Sequence, residues 1–218
     1  MMKRLREEKG SITLLTLGLL GVMALLFAVM LNLVKVYAVK QEASNAAQQA
    51  SLAATSEIYR AVEKAIQDTD NAGLICVGSE GLGLNLWPKT IAEQIQDKKN
   101  QLSGQYTGRE VELKAIDLVL TETLHDPRYF CLKDQIELEL NLSTSAIQQA
   151  ILDTIHANGG EQVGTVIDIN HRYQVEVKTS SVYRAYKYDD WIPDNRRNIQ
   201  QEGLGPELKF LEHVNWTL

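Results

Sequence analysis

The stretch from Ile12 to Val34 contains no charged residue, and this feature constrains the fold more than any other. As an α-helix it would extend about 34 Å, enough to cross a hydrocarbon core of roughly 30 Å. We therefore predict a transmembrane helix over residues 11–34. The alternative is a cleaved secretory signal, because Val36 and Ala38 fit a small-residue cleavage rule. The apolar core of such signals usually runs about 7–15 residues, so the length favours a retained anchor.

The charges that flank this run predict its orientation. Residues 1–10 carry four basic side chains, whereas only Lys35 and Lys40 follow shortly after the run. Because positive charge is retained in the cytoplasm, we expect a cytoplasmic tail at 1–10, a single-pass anchor in the cell membrane, and an extracytoplasmic remainder. The tail holds four basic and two acidic residues, which leaves 18 basic and 26 acidic residues in 11–218, a net charge of −8. Such a surface does not attract nucleic acid.

The helical signal continues beyond the apolar run. No Pro or Gly occurs from Lys35 to Asp70, and the composition favours one extended alanine-rich helix over 35–70. Small side chains recur along one face of this helix and of the transmembrane helix, which indicates close helix packing against a partner. The residues that we assign to this packing surface are Gly21, Ala24, Ala28, Asn32, Ala43, Ala47, Ala50 and Ala54.

Residues 71–218 are expected to form an extracytoplasmic α+β domain. The Gly-rich passage 73–83 predicts a loop, and residues 89–102 predict a short amphipathic helix that Pro88 begins. Alternating apolar residues predict a bulged strand over 110–122 and a second strand over 130–142, paired as an antiparallel hairpin.

Further along, Ser143 to Ser145 offer N-caps for a helix that ends at Asn158-Gly159-Gly160. Alternation within 163–188 predicts another strand pair, whereas 191–218 shows little periodicity. The predicted fold class is therefore α+β: a long N-terminal transmembrane helix that extends into an external domain with an antiparallel β-sheet and short helices.

The sequence contains no recognisable catalytic or metal-binding motif. The four histidines do not stand at a metal or triad spacing, although a site assembled from distant residues such as His125, His171 and Asp126 stays open. Asp68 to Gly73 resembles the opening of a calcium loop but lacks its ligands at the fifth and twelfth positions. Glu137 and Glu139 would share the solvated face of a strand. We therefore predict no enzyme activity, no metal and no cofactor.

Cys76 and Cys131 are the two cysteines of the chain. The predicted orientation places both on the oxidising side of the membrane, where a disulfide between them can persist. Two separately buried thiols are the alternative.

Two adjoining stretches carry a family resemblance. Residues 9–14, Lys-Gly-Ser-Ile-Thr-Leu, open the apolar run, and residues 45–54 read Asn-Ala-Ala-Gln-Gln-Ala-Ser-Leu-Ala-Ala. Together they resemble the TadE/TadG-like family of bacterial Flp (tight adherence) pilus-assembly proteins, over about residues 4–60. A weaker similarity is to type IV pilins and pseudopilins, which usually carry Glu at the fifth position after the leader glycine, where this chain has Leu15.

The resemblance implies a structural or accessory component of a pilus-assembly or secretion apparatus in the cell envelope. Its expected partners are the membrane and other envelope or pilus-assembly proteins, with a homo-oligomer as an open possibility. An anchored sensor or ligand-binding domain and a minor pseudopilin are the alternatives, and the first of these would need an apolar pocket with converging polar groups.

Overall fold

The computed structural model describes residues 2–72, 89–106, 108–184, 193 and 197–218. In chain order, its elements are α1 (Met2–Ala72), α2 (Ile91–Leu102), α3 (Arg109–Leu124), a 3₁₀ helix (Pro127–Tyr129), α4 (Phe130–Ala157), β1 (Glu161–Ile169), β2 (Val175–Val182), β3 (Asn198–Leu204) and a final 3₁₀ helix (Lys209–His213).

The predicted long helix is confirmed, because α1 runs without interruption from Met2 to Ala72. The α+β class is also confirmed, since the chain combines long helices with a three-stranded antiparallel sheet of order β1-β2-β3. The Gly-rich passage 73–83 lies outside the described residues. The core forms where the outer half of α1 packs against α4 on one side and against β2 and β3 on the other.

The predicted helix over 89–102 is present with a different start. Thr90 is its N-cap: the Thr90 hydroxyl accepts a hydrogen bond from the Glu93 amide, and the Thr90 amide donates to the Glu93 carboxylate. This capping box fixes Ile91 as the first helical residue. Asp70 adds a second cap, because its carboxylate accepts the amides of Ile91 and Ala92 at 3.0 and 2.9 Å.

The predicted hairpin over 110–122 and 130–142 is wrong, because both segments are helical. The apolar side chains that α4 buries recur every four or seven residues, which is a helical period, and they are Leu132, Ile136, Leu140, Ile147, Ile151 and Ile155. Leu138 and Leu142, which completed the apparent alternation, are exposed. The break in phase at Ala115-Ile116, taken for a bulge, is the adjacent pair on the buried face of α3.

The strand pair after Gly160 is confirmed. β1 pairs with β2 in antiparallel register from Ile169↔Val175, with an irregularity between Glu161 and Val166. Ser143 to Ser145 do not cap a helix, because they lie inside α4, whose end at Ala157 agrees with the predicted stop. β3, which pairs along β2 from Asn198 to Leu204, was not predicted.

Candidate functional site

The inner part of α1, residues 12–34, is bare. Its side chains are exposed all round the helix except for Asn32, which is half-buried. Among the described residues, α1 is the one helix long and apolar enough to cross a membrane. An added Cβ at Gly21 would meet nothing within 4 Å, so this small position contacts no other part of the chain that the structure describes.

In the outer part of α1, residues 43–66, one side of the helix is buried. The alanines of the predicted packing surface, Ala43, Ala47, Ala50 and Ala54, are completely buried. We had expected them to contact a partner protein, but α4 and the sheet of the same chain cover this side of α1. The alanine surface therefore serves packing within the chain, and another protein cannot reach it in this structure.

Glycines on the facing elements explain why this side of α1 needs small residues. A Cβ on Gly203 of β3 would lie 2.2 Å from the Ala47 carbonyl carbon and 2.4 Å from the Ala47 oxygen. A Cβ on Gly205 would lie 2.8 Å from the Thr55 hydroxyl. The backbone of the sheet thus rests directly on the backbone of α1, which only Gly on one side and a small residue on the other permit.

The buried region of α1 extends down to the apolar run. Tyr183, just past the end of β2, is 8% exposed, and its hydroxyl donates a 3.4 Å hydrogen bond to the Asn32 side-chain oxygen. Val39 is also 8% exposed, and Lys35 is half-buried. The part of the chain that covers α1 therefore begins within the last residues of the uncharged run.

An ion pair joins α1 to α4. The Lys64 ammonium lies 2.8 Å from the Glu139 carboxylate, whose side chain is 6% exposed. The expectation that Glu137 and Glu139 share a solvated strand face is wrong, because both lie on α4 and Glu139 is buried. Glu137 accepts a hydrogen bond from the Asn215 amide at 2.8 Å. The two carboxylates tie α4 to other segments of the chain.

A buried carboxyl lies between α1, α3 and the final 3₁₀ helix. The Asp117 side chain is 2% exposed; its Oδ1 accepts the Phe210 amide at 3.3 Å, and its Oδ2 has no hydrogen-bond partner. Burial raises the pKa of Asp117, against the opposing effects of the Phe210 amide and Lys114. Burial, followed by the charge of Asp117, raises the pKa of the Tyr59 hydroxyl. Sequence reasoning did not single out Asp117, because the segment 110–122 was predicted to be a strand and not a helix with a buried face.

Two of the four histidines lie close together. The rings of His125 and His213 approach to 5.6 Å between centroids, a contact that the sequence did not predict. Across the described ranges, no three His, Cys, Asp or Glu side chains are grouped to hold a metal ion. Asp70, from the calcium-like stretch, is the second cap of α2.

The predicted disulfide stays a prediction. Cys131 lies half-buried near the start of α4, whereas Cys76 lies outside the described residues.

Comparison with known families identifies the N-terminal region. Residues 10–57 match the family model described as putative Flp pilus-assembly TadE/G-like. No curated protein and no solved structure matches the chain. The match thus covers the exposed apolar part of α1 and all four alanines of the packing surface, but not the elements that pack against them.

Residues within the matched alanine-rich stretch differ in their burial. Ala46, Ala47, Ala50 and Ala54 of the alanine-rich stretch are completely buried, whereas Leu52 within it is 54% exposed. The recurrent alanines of this TadE/G-like stretch are therefore the positions where the rest of the chain approaches α1. The match supports a pilus-assembly component with a helix able to span a membrane.

Proposed function

We propose that this protein is a membrane-anchored structural or accessory component of a bacterial Flp/Tad-type pilus-assembly or secretion apparatus. In this proposal residues 1–10 lie in the cytoplasm, 11–34 cross the membrane, and the helix 35–70 and the domain 71–218 lie outside. The protein would act through helix packing and protein–protein contacts and not through catalysis. The observation that carries the proposal is the coincidence of the TadE/G-like match with the apolar part of α1.

The surface available to a partner is the membrane-spanning part of α1. The alanines of the outer part are already covered by the chain, so they cannot serve as the contact. Within the apolar run, Gly21, Ala24 and Ala28 share one face and are exposed. In a lipid environment helices associate through close packing at small residues. Lipid tails are as apolar as the side chains, so the hydrophobic effect does not drive the helices together. We therefore place the partner contact, with another envelope protein or a second copy, on this face.

Two glycines of the same segment give a matched test. Gly21 lies on the small-residue face and Gly18 about a quarter-turn away from it. An added Cβ meets nothing within 4 Å at either position, so the isolated chain accepts both changes. Gly21→Leu should therefore lower co-purification of envelope partners from detergent extracts by about fivefold or more, while Gly18→Leu should leave it near the wild-type level.

The recovered partners and the intact mass of the bait decide the proposal. Recovery of pilus-assembly or secretion components with an uncut N-terminus supports it. Equal losses for the two variants, or none for either, would remove the small-residue face as the contact. A mass that corresponds to cleavage after Gly10 would favour a pilin-like protein despite Leu15. A mass that corresponds to cleavage after Ala38 would indicate a secreted domain.

A further inference from the structure

The position of the external domain along α1 fixes its distance from the bilayer. If the run 12–34 is centred in the membrane, the hydrocarbon boundary falls near residue 33 and the outer edge of the headgroup layer at about residue 37. The Tyr183 hydroxyl bonds to Asn32, and Lys35 is half-buried by the domain. The end of the domain that carries Tyr183 therefore lies within the headgroup layer and not on a stalk above it.

Basic and aromatic side chains lie at this level or just outside it. Lys35 and Lys40 project from α1, Tyr37 is 73% exposed, and Arg184 is exposed beside Tyr183. This composition contrasts with residues 11–218 as a whole, whose net charge is −8. Tyr is enriched where a protein meets the membrane interface, and Lys and Arg near the surface attract anionic lipids.

From this placement, which rests on the membrane anchoring in the proposed function, we infer that the end of the external domain at Tyr183 docks on the adjacent leaflet. Lys35 and Arg184, with Lys40 just outside them, form a collar that binds the phosphate groups of anionic phospholipids. The sheet supplies the rigid support for this contact. β2 ends at Val182, and the Tyr183 amide donates to the Arg197 carbonyl at 2.8 Å, so the ladder between β2 and β3 continues to the membrane surface.

A spin label at either end of the sheet tests the docking in the full-length protein. Asn198 is exposed and pairs with Val182 at the membrane end, whereas Arg172 is exposed in the turn between β1 and β2 at the far end. Each is replaced by Cys in a Cys76→Ser, Cys131→Ser chain, labelled, and reconstituted in nanodiscs. We expect the label at 198 to collide with an aqueous nickel chelate at least about twofold less often than the label at 172.

Lipid composition tests the collar. Nanodiscs of phosphatidylcholine are compared with nanodiscs that contain about 30% phosphatidylglycerol, a composition at which each basic residue near the surface gains attraction. The anionic lipid should lower nickel access to the label at 198 further. Arg184→Ala should reduce this lipid dependence, and Arg109→Ala, at the exposed start of α3, should leave it intact.

A third label separates this inference from the proposed function. A Cys at Leu25, in the middle of the apolar run, reports insertion of α1. If it is buried in lipid while the labels at 198 and 172 are equally accessible to nickel, the docking is wrong and the anchor stands. If the label at 198 is shielded equally in both lipids, the anionic collar is wrong. If the label at Leu25 is itself aqueous, membrane anchoring fails and the inference fails with it.

Discussion

The two halves of α1 carry similar small residues and use them in opposite ways. In the inner half, Gly21, Ala24 and Ala28 face outwards with no described part of the chain against them. In the outer half, Ala47 and Ala54 are completely buried by α4 and the sheet. One continuous helix therefore presents a bare face within its apolar run and a fully occupied one beyond it.

This difference shows that a small-residue stripe identifies close packing but not the partner. Small side chains let backbones approach in a membrane and in water alike, so the sequence pattern is the same in both halves. The two halves differ in whether other elements of the same chain pack against them. The outer half has α4, β2 and β3 beside it, and the approach of β3 is the closest, because Gly203 lies against the Ala47 backbone.

The largest effect is expected from removing that close approach. Gly203→Ala would place a methyl group 2.2 Å from the Ala47 carbonyl carbon, a backbone atom that no side-chain rotation can move. We expect the free energy of unfolding of the region formed by α1, α4 and the sheet to fall by about 3 kcal/mol. Chemical unfolding of the full-length protein in detergent, followed by near-ultraviolet circular dichroism, measures this change.

Gly104→Ala is the control for this substitution, because an added Cβ there meets nothing within 4 Å. Its free energy of unfolding should stay within about 0.5 kcal/mol of the wild type. If Gly203→Ala proved equally mild, β3 would not rest on α1, and the contrast between the two halves of the helix would lose its basis.

A smaller effect is expected at Asp117, whose burial accompanies that of Tyr59 in the outer half of α1. Because the pKa of Asp117 is raised, the folded state binds a proton more tightly than the unfolded chain. This contribution favours folding most below the ordinary pKa of 3.8 and is lost as the pH rises through that value towards the raised pKa. Asp117→Asn should therefore raise the free energy of unfolding at pH 7 by about 1 kcal/mol, since the amide carries no charge and can still accept the Phe210 amide.

Unfolding at pH 4 and pH 7 checks the sign of the Asp117 effect. The stabilisation by Asp117→Asn should be larger at pH 7 than at pH 4, whereas Asp134→Asn, at an exposed position of α4, should change little at either pH. A loss of stability at pH 7 would mean that the charge of Asp117 is compensated in the fold.

The sequence predicted the elements whose signals are long or unambiguous. The uncharged run and the absence of Pro and Gly from Lys35 to Asp70 predicted α1, and the alternation before and after Asn170-His171 predicted β1 and β2. It failed for α3 and α4, because short runs such as Glu137 to Leu142 fit both a strand and a helix when their tertiary contacts are unknown. The buried stripe of Ile147, Ile151 and Ile155 had the helical period but was assigned to a separate helix.

The sequence pattern predicted the small-residue surface of α1, but it did not predict which element packs against that surface. β3 has little apolar periodicity, so the strand that carries Gly203 gave no signal from which a close approach could be inferred. The burial of Glu139 and Asp117 depends on which elements pack against them, and the misassigned strand made Glu139 look solvated. The contact of Tyr183 with Asn32 joins residues 151 positions apart, which local patterns cannot reveal.

The smallest expected effect lies where the two halves of α1 meet. Tyr183→Phe removes the hydroxyl that donates to the Asn32 side-chain oxygen, and at 3.4 Å this hydrogen bond is long. We expect the free energy of unfolding to fall by about 0.5 kcal/mol, because the ring stays packed against α1 and only one weak bond is lost. A double-mutant cycle with Asn32→Ala isolates the pair, since the coupling should account for most of the loss from Tyr183→Phe. A coupling energy of zero would mean that the Tyr183 hydroxyl does not bind Asn32. The covered half of α1 would then begin nearer to Val39, which is buried independently of that hydroxyl.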